Sequence, residues 1–147
     1  MSSWDTATFG FELSFRVTNF AGMNEPVLRL DLPGLTKVRS GKVREVFDLG
    51  DRFLMVASDR ISAFDVIMPN GIPRKGEVLT QVSHFWFDKF SSLVPNHLLA
   101  GANAPLNIRQ LAGLTDAQLA DLQSRSMLVK KAKPLAIECI VRGYLAG

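Results

Sequence analysis

Three short segments set charged residues into runs that would otherwise be apolar and strand-like. They are Ser40-Gly41-Lys42-Val43-Arg44-Glu45-Val46-Phe47-Asp48, Ser58-Asp59-Arg60-Ile61-Ser62-Ala63-Phe64-Asp65 and Ile137-Glu138-Cys139-Ile140-Val141-Arg142-Gly143-Tyr144. In the first, alternate side chains of a strand share a face, which puts Lys42 and Arg44 on one side, roughly 7 Å apart at about 3.3 Å per residue. Val43 and Phe47 then face a core. Gly41 lets another group approach the backbone closely. Two cations beside a glycine suit a polyphosphate, the lysine as a point charge and the arginine as a planar fork. The spacing is not that of a P-loop, which needs Gly-x-x-x-x-Gly-Lys-Ser/Thr. The same residues also fit a solvated strand face with an Arg44–Glu45 neighbourhood, a common place for cations.

In the second segment Asp59 and Arg60 sit at a strand end, where they can hold a turn by pairing. Ser62 offers a hydroxyl. Asp65 falls inside the next apolar run, where a carboxylate needs partners. Turn capping with a structural ion pair and ligand binding both fit this segment. In the third, Glu138, Ile140 and Arg142 share one face, while Ile137, Cys139 and Val141 share the other. The second face reads as core, which leaves Cys139 inert. Arg142 could grip a phosphate or carboxylate with Glu138 orienting it. The alternative is a partly buried ion pair, and such pairs add little net stability. Lys130, Lys131 and Lys133 flank Pro134. They read as a hinge whose backbone pairs with a base, or as a solvated edge that deters aggregation. His84 and His97 lack metal-ligand spacing, and His84 reads as a packing residue. No metal ligand and no catalytic group is assigned.

These segments need elements to position them. Residues 43–49 and 53–57 read as strands joined by the Gly50-Asp51 turn, an antiparallel hairpin. Residues 63–68 read as a third strand closed by Pro69-Asn70-Gly71, followed by a basic loop over 73–76. The clearest helix is 78–93, with Leu79, Val82, Trp86, Phe90 and Leu93 as its buried stripe and Pro95 as its end. Phe85, Trp86, Phe87 and Phe90 are expected in the core. Residues 95–113 read as loop. Thr115-Asp116-Ala117-Gln118 matches a capping box and opens a short helix to about Leu122. Residues 127–131 and 136–144 read as strands, with Pro134 as the break. Pro33-Gly34 marks a turn within the apolar stretch 27–35. In the N-terminal stretch, Phe11, Leu13, Phe15 and Val17 alternate with polar residues as in a half-buried strand. The balance predicts an α+β fold, a twisted antiparallel sheet with packed helices.

Size and charge bound what such a fold can do. The chain has 147 residues, 47% apolar and 21% charged, enough for one domain with a core. The net charge of +3 favours anionic small molecules and is weak support for nucleic acid. Cys139 is the sole cysteine, which excludes an internal disulfide framework and fits a reducing compartment. No apolar run approaches the roughly 20 residues of a membrane helix, and the N-terminus does not read as a secretory signal. A soluble cytoplasmic protein is expected.

In this order the segments resemble the SAICAR synthetase (phosphoribosylaminoimidazole-succinocarboxamide synthase) family of purine biosynthesis. The resemblance covers residues 32–147. It includes Gly41-Lys42-Val43-Arg44, the Ser58 to Asp65 segment, Lys75-Gly76 with Leu79-Thr80, residues 83–87, residues 127–131 and residues 138–147. It implies the N-terminal lobe of an ATP-grasp-like fold over residues 25–147, preceded by an extension of unassigned role over 1–24. It implies an ATP-dependent ligase that joins the carboxylate of carboxyaminoimidazole ribonucleotide to the amine of L-aspartate, with Mg2+. Gly41, Lys42, Val43 and Arg44 would lie by the ATP phosphates, and Lys131 and Ala132 would form a hinge beside adenine with Glu138 near. Asp59, Arg60, Ser62 and Asp65 would build the substrate wall, and Arg142 would hold the imidazole nucleotide. The family's chains continue past this sequence, so the expectation for the chain itself is an incomplete, inactive lobe with an exposed edge prone to self-association. The alternative from the residues alone is a non-catalytic module that binds nucleotide or RNA on a basic sheet face. No nucleic-acid or membrane partner is expected.

Overall fold

Alternation along Arg44–Asp48 and Arg52–Ala57 sends every second residue to one side, and that side is where the core forms. A computed structural model of the chain describes residues 25–100, 115–137, 139–141 and 143–144. A five-stranded sheet is built from β1 (Thr36–Ser40), β2 (Arg44–Asp48), β3 (Arg52–Ala57), β6 (Leu98–Ala100) and β7 (Ser126–Lys130). Its order is β1-β2-β3-β7-β6 and its pairs are all antiparallel. A separate hairpin pairs β4 (Arg60–Ala63) with β5 (Val66–Gly71). Two helices complete the described chain, α1 (Lys75–Phe90) and α2 (Asp116–Ser124). The α+β class and the antiparallel sheet are as the sequence predicts.

The core lies on one face of the sheet. Phe47, Leu54 and Val56 meet Leu122 of α2 and Val27, Leu30 and Leu32 of the segment before β1. That segment turns at Pro33-Gly34, where Gly34 takes a φ of 84° that suits glycine. The capping box of α2 forms as expected. The Thr115 hydroxyl accepts the Gln118 N–H, and the Gln118 side chain accepts the Thr115 N–H.

α1 differs from its expected register and face. It starts at Lys75, inside the stretch predicted as loop, and ends at Phe90. Its buried residues are Gly76, Thr80 and His84, at steps of four. Leu79, Val82, Phe85, Trp86 and Phe90 are exposed instead, and so is Leu93 beyond the helix end. Close approach explains the choice of face. A Cβ on Gly76 would lie 2.6 Å from the Ala57 carbonyl oxygen, so only a glycine face can rest this near β3.

Three more expectations change. The strand predicted over 63–68 is split by a two-residue turn at Phe64-Asp65, with Ala63 ending β4 and Val66–Met68 opening β5, which runs on through the expected stop at Pro69-Asn70-Gly71. Phe64 and Asp65 both take positive φ, 49° and 66°, as a mirror-image two-residue turn requires. Asp65 is therefore an exposed turn residue and not a carboxylate within a buried strand. The strand over 136–144 does not form among its described residues. Ile137 and Val141 are exposed and Cys139 is exposed, so the face read as core is not buried. A strand requires a partner and a face to cover, and Pro134 removes one donor just after β7. Within the stretch 95–113, β6 pairs with β7, while Pro105 and Gly113 lie outside the described residues. So do Glu138, Arg142 and residues 1–24 with their expected strand.

Gly76 gives a sharp test. In an exposed helix Gly→Ala stabilises by up to about 1 kcal/mol. Here backbone atoms at 2.6–2.9 Å block the Cβ. Gly76→Ala is expected to destabilise by about 1–3 kcal/mol, read as a lower midpoint in urea unfolding. A neutral or stabilising result would mean that α1 does not pack where it is drawn.

Candidate functional site

The sheet face opposite the core carries Arg44, Val46, Met55, Ala57 and Met127, since Val46 pairs with Met55, Arg44 with Ala57, and Met55 with Met127. α1 flanks one end of it. There Lys75, Thr80 and Ser83 meet Arg44, Ala57 and Ser58 around a cavity of about 30 Å³. At the other end Val38, Val46, Phe53, Met55, Val129 and Ala132 line an open hollow of about 530 Å³. Met55 borders both spaces. The face is thus a groove, cationic and hydroxyl-bearing beside α1 and mostly apolar at the far end, which Arg39, His97 and Lys130 also line. A flat apolar ring fits one end and an anion the other.

Of the four expected phosphate residues, Val43 and Arg44 line the small cavity beside α1, whereas Gly41 borders a separate hollow with Glu45 and Arg60. Lys42 lies in the bend between β1 and β2, not in a strand. The Gly41 N–H donates to the Arg44 carbonyl at 2.7 Å and turns the chain there. Lys42 therefore does not share Arg44's face by alternation. Its Nζ pairs with the Asp65 carboxylate at the hairpin tip. Val43 is half-buried and borders the small cavity, and Arg44 is exposed. Glu45 does not neighbour Arg44 as expected. It lies on the opposite side of the sheet, 3% exposed, and its Oε1 accepts from Arg60 Nη1 at 2.8 Å.

Asp59 and Arg60 do not pair with each other. Asp59 is fully buried. Its Oδ2 accepts the Val27 N–H at 2.8 Å, and its Oδ1 accepts the Gly76 N–H at 2.8 Å and Arg125 Nη1 at 3.0 Å. Arg125 also reaches both oxygens of Asp121 at 3.0 Å. Burial works against the Arg125 charge, but the Asp121 hydrogen bonds, with the charges of Asp121 and Asp59, hold its pKa above the usual value. Ser62 is half-buried on β4.

Lys131 and Ala132 mark the far end of the groove. Lys131 Nζ donates to both oxygens of Asp48 at 2.7 Å and stands 4.8 Å over the Phe53 ring. Asp48 is four residues along β2 from Arg44, roughly 13 Å at about 3.3 Å per residue. Val43 and Arg44 therefore lie at one end of this sheet face and Ala132 at the other. Glu138 and Arg142 lie outside the described residues. Lys75-Gly76 is part of the resemblance, but 73–76 reads as a loop, so the sequence alone gives Lys75 no place on the groove wall. Met55 and Val46 were visible only as strand alternation. Among the described residues no group of three or more His, Cys, Asp or Glu could hold a metal ion.

An antiparallel sheet whose open face carries cations beside α1 and a mostly apolar hollow beyond Met55 is a candidate ligand-binding surface. The SAICAR synthetase family model matches residues 37–147, and the chain belongs to that family. The chain is 54% identical over 127 residues to the phosphoribosylaminoimidazole-succinocarboxamide synthase of Trichlorobacter lovleyi, covering 85% of this chain and 40% of that protein. It is 55% identical over 121 residues to that of Syntrophotalea carbinolica, covering 82% and 39%. Among solved structures, a SAICAR synthase aligns with a TM-score of 0.70 at 43% identity, over 81% of this chain and 41% of that one. A Saccharomyces cerevisiae SAICAR synthase complexed with SAICAR aligns at 0.58 and 41% identity, over 71% and 36%. The chain spans about two fifths of the length of these curated relatives.

The hydrogen bond from Lys42, and then its charge, hold the Asp65 carboxyl below its usual pKa. The pair's contribution to stability is present above the ordinary carboxylate value and is lost as pH falls through the depressed one. Both groups are exposed, so the effect on stability is small. A carboxyl carbon NMR titration should show Asp65 ionising below an ordinary aspartate, and Lys42→Ala should return it upward. An Asp65 titration unchanged by Lys42→Ala would exclude the pairing.

Proposed function

We propose that this chain is the nucleotide-binding lobe of an ATP-dependent carboxylate–amine ligase of purine biosynthesis, acting in the cytoplasm. The observation that carries the reading is the groove itself, with an apolar end at Val46, Phe53 and Met55 and a cationic end at Arg44 and Lys75. Adenine takes the apolar end beside Lys131 and Ala132. The phosphates take the end formed by Gly41, Lys42, Val43 and Arg44. Magnesium enters this reading as the ion that ATP brings with it.

In the full reaction a carboxylate oxygen of carboxyaminoimidazole ribonucleotide attacks the γ-phosphorus of ATP. The β–γ bridge breaks, ADP leaves and an acyl phosphate forms. The amine of L-aspartate then attacks the acyl carbon, phosphate departs, the amine loses a proton and the amide of SAICAR results. Every reactant is an anion, so the protein's part is positioning and charge neutralisation. The described residues supply cations for this. Ser62 and Asp65 are the members of the second segment that remain open to a substrate. Asp59 and Arg60 have their polar groups occupied within the lobe. Glu138 and Arg142 keep the roles that the resemblance implies.

The apolar ridge of α1, from Val78 through Phe85, Trp86 and Phe90, supports self-association of this chain through that face. Trp86 stacks on Phe90 at 5.4 Å between ring centroids, with Lys89 Nζ 5.1 Å from the Trp86 ring centre. Sedimentation velocity over a concentration series should show a reversible larger species, reduced in Trp86→Glu. A monomer at all concentrations would remove this part of the reading.

Calorimetric titration with Mg-ATP tests the groove. Saturable binding is expected for the 147-residue chain, weakened at least tenfold in Lys42→Ala/Arg44→Ala. Steeply salt-dependent binding of RNA in preference to ATP would favour the nucleic-acid reading instead. A cooperatively folded chain that binds no ATP would overturn the assignment.

A further inference from the structure

We infer that Arg60 is a positioning residue that fixes the Gly41–Val43 loop from behind, turning the loop's backbone N–H groups toward the groove as an anion seat. The use of that seat rests on the nucleotide reading above, whereas the clamp itself does not. Arg60 stands behind the sheet, beside Glu45 and away from the side of Arg44, and its side chain is 12% exposed. Its Nη2 donates to the Gly41 carbonyl at 2.9 Å and its Nε to the Lys42 carbonyl at 2.9 Å. Its Nη1 donates to the Leu28 carbonyl at 2.7 Å and to Glu45 Oε1 at 2.8 Å. The next carbonyl, that of Val43, accepts from the Ser58 N–H at 2.9 Å and from Ser58 Oγ at 3.0 Å. Three successive carbonyls are thus held by two residues of the Ser58-Asp59-Arg60 triplet.

The consequence follows from peptide geometry. In a trans peptide the carbonyl and the following N–H point in opposite directions, and none of the described peptides is cis. Carbonyls of Gly41 and Lys42 drawn back to Arg60 leave the N–H groups of Lys42 and Val43 facing forward. Consecutive backbone donors on one side of a turn make an anion-binding concavity. Here they sit beside the Lys42 and Arg44 side chains. A rigid guanidinium fork can span three carbonyls and a carboxylate at once, as Arg60 does here, which a lysine head cannot.

Arg60→Lys tests this in the 147-residue chain. Amide hydrogen exchange should speed up at least tenfold at residues 41–44 while β3 and β7 keep their protection. Mg-ATP should bind at least tenfold more weakly, with adenosine affinity unchanged, a split that a general loss of structure would not produce. If Arg60→Lys unfolds the chain, Glu45→Gln replaces it, which keeps the arginine but loosens its aim. It should give a smaller effect of the same sign. Exchange at 41–44 unchanged in a folded variant overturns the clamp. Wild-type and variant binding Mg-ATP equally well overturns the anion seat while leaving the nucleotide reading intact. A wild-type chain that binds no Mg-ATP refutes the nucleotide reading and the seat, and the exchange result then decides the clamp alone.

Discussion

One buried carboxylate holds the lobe together. Asp59 is cut off from water, and an isolated charge there would be strongly unfavourable. It is tolerated because three donors converge on it from distant parts of the chain, the Val27 N–H, the Gly76 N–H and the Arg125 guanidinium. Each belongs to a different element. Val27 leads the segment that covers the core, Gly76 opens α1, and Arg125 follows α2. Removing one partner of such a pair costs about 3–5 kcal/mol, more than the roughly 1.5–3 kcal/mol of burying one large apolar side chain. The apolar core is small, so this polar junction carries an unusual share of the definition of the fold.

The junction also explains the start of α1. Its N-cap residue, Arg74, has a left-handed backbone and gives no side-chain cap. The Asp59 carboxylate accepts an N–H of the first turn in its place and sets a negative charge where the helix dipole favours one. Gly76 is needed for that approach, because any Cβ would strike the Ala57 and Ser58 carbonyls. Helix, strand end and carboxylate therefore determine one another. The adjacent Ser58 and Arg60 turn outward from the same junction and hold the loop that borders the groove.

The sequence showed the charged segments and the β2–β3 hairpin clearly. Both are local: strand alternation is written in consecutive residues, and so is the capping box at Thr115. The face of α1 was not legible, because its apolar stripe at Leu79, Val82 and Trp86 is more hydrophobic than the Gly76–Thr80–His84 face that packs. Hydrophobicity misleads where close backbone approach decides. β1 was missed because all five of its residues are exposed, so it carries no burial pattern. A structural reading of Asp59 and Arg60 was legible, but as a pair with each other and not with the partners they have. Their partners lie up to 66 residues away along the chain, and no spacing rule reaches that far.

Two of the lysines assigned to the nucleotide already have partners. Lys42 is engaged with Asp65 and Lys131 with Asp48. Exposed pairs of this kind are weak, commonly about 0–1 kcal/mol. A polyphosphate offers several charged acceptors at once and forms stronger charge-assisted hydrogen bonds. Lys42 can therefore leave Asp65 for a phosphate at small cost, while the backbone that carries it stays fixed by Arg60. The carboxylate it leaves behind stands at an exposed hairpin tip, on a turn whose positive φ at Phe64 is unfavourable for a bulky residue. The division of labour is physical: buried charges with several partners hold the frame, and exposed charges with weakly held partners are the ones able to exchange them.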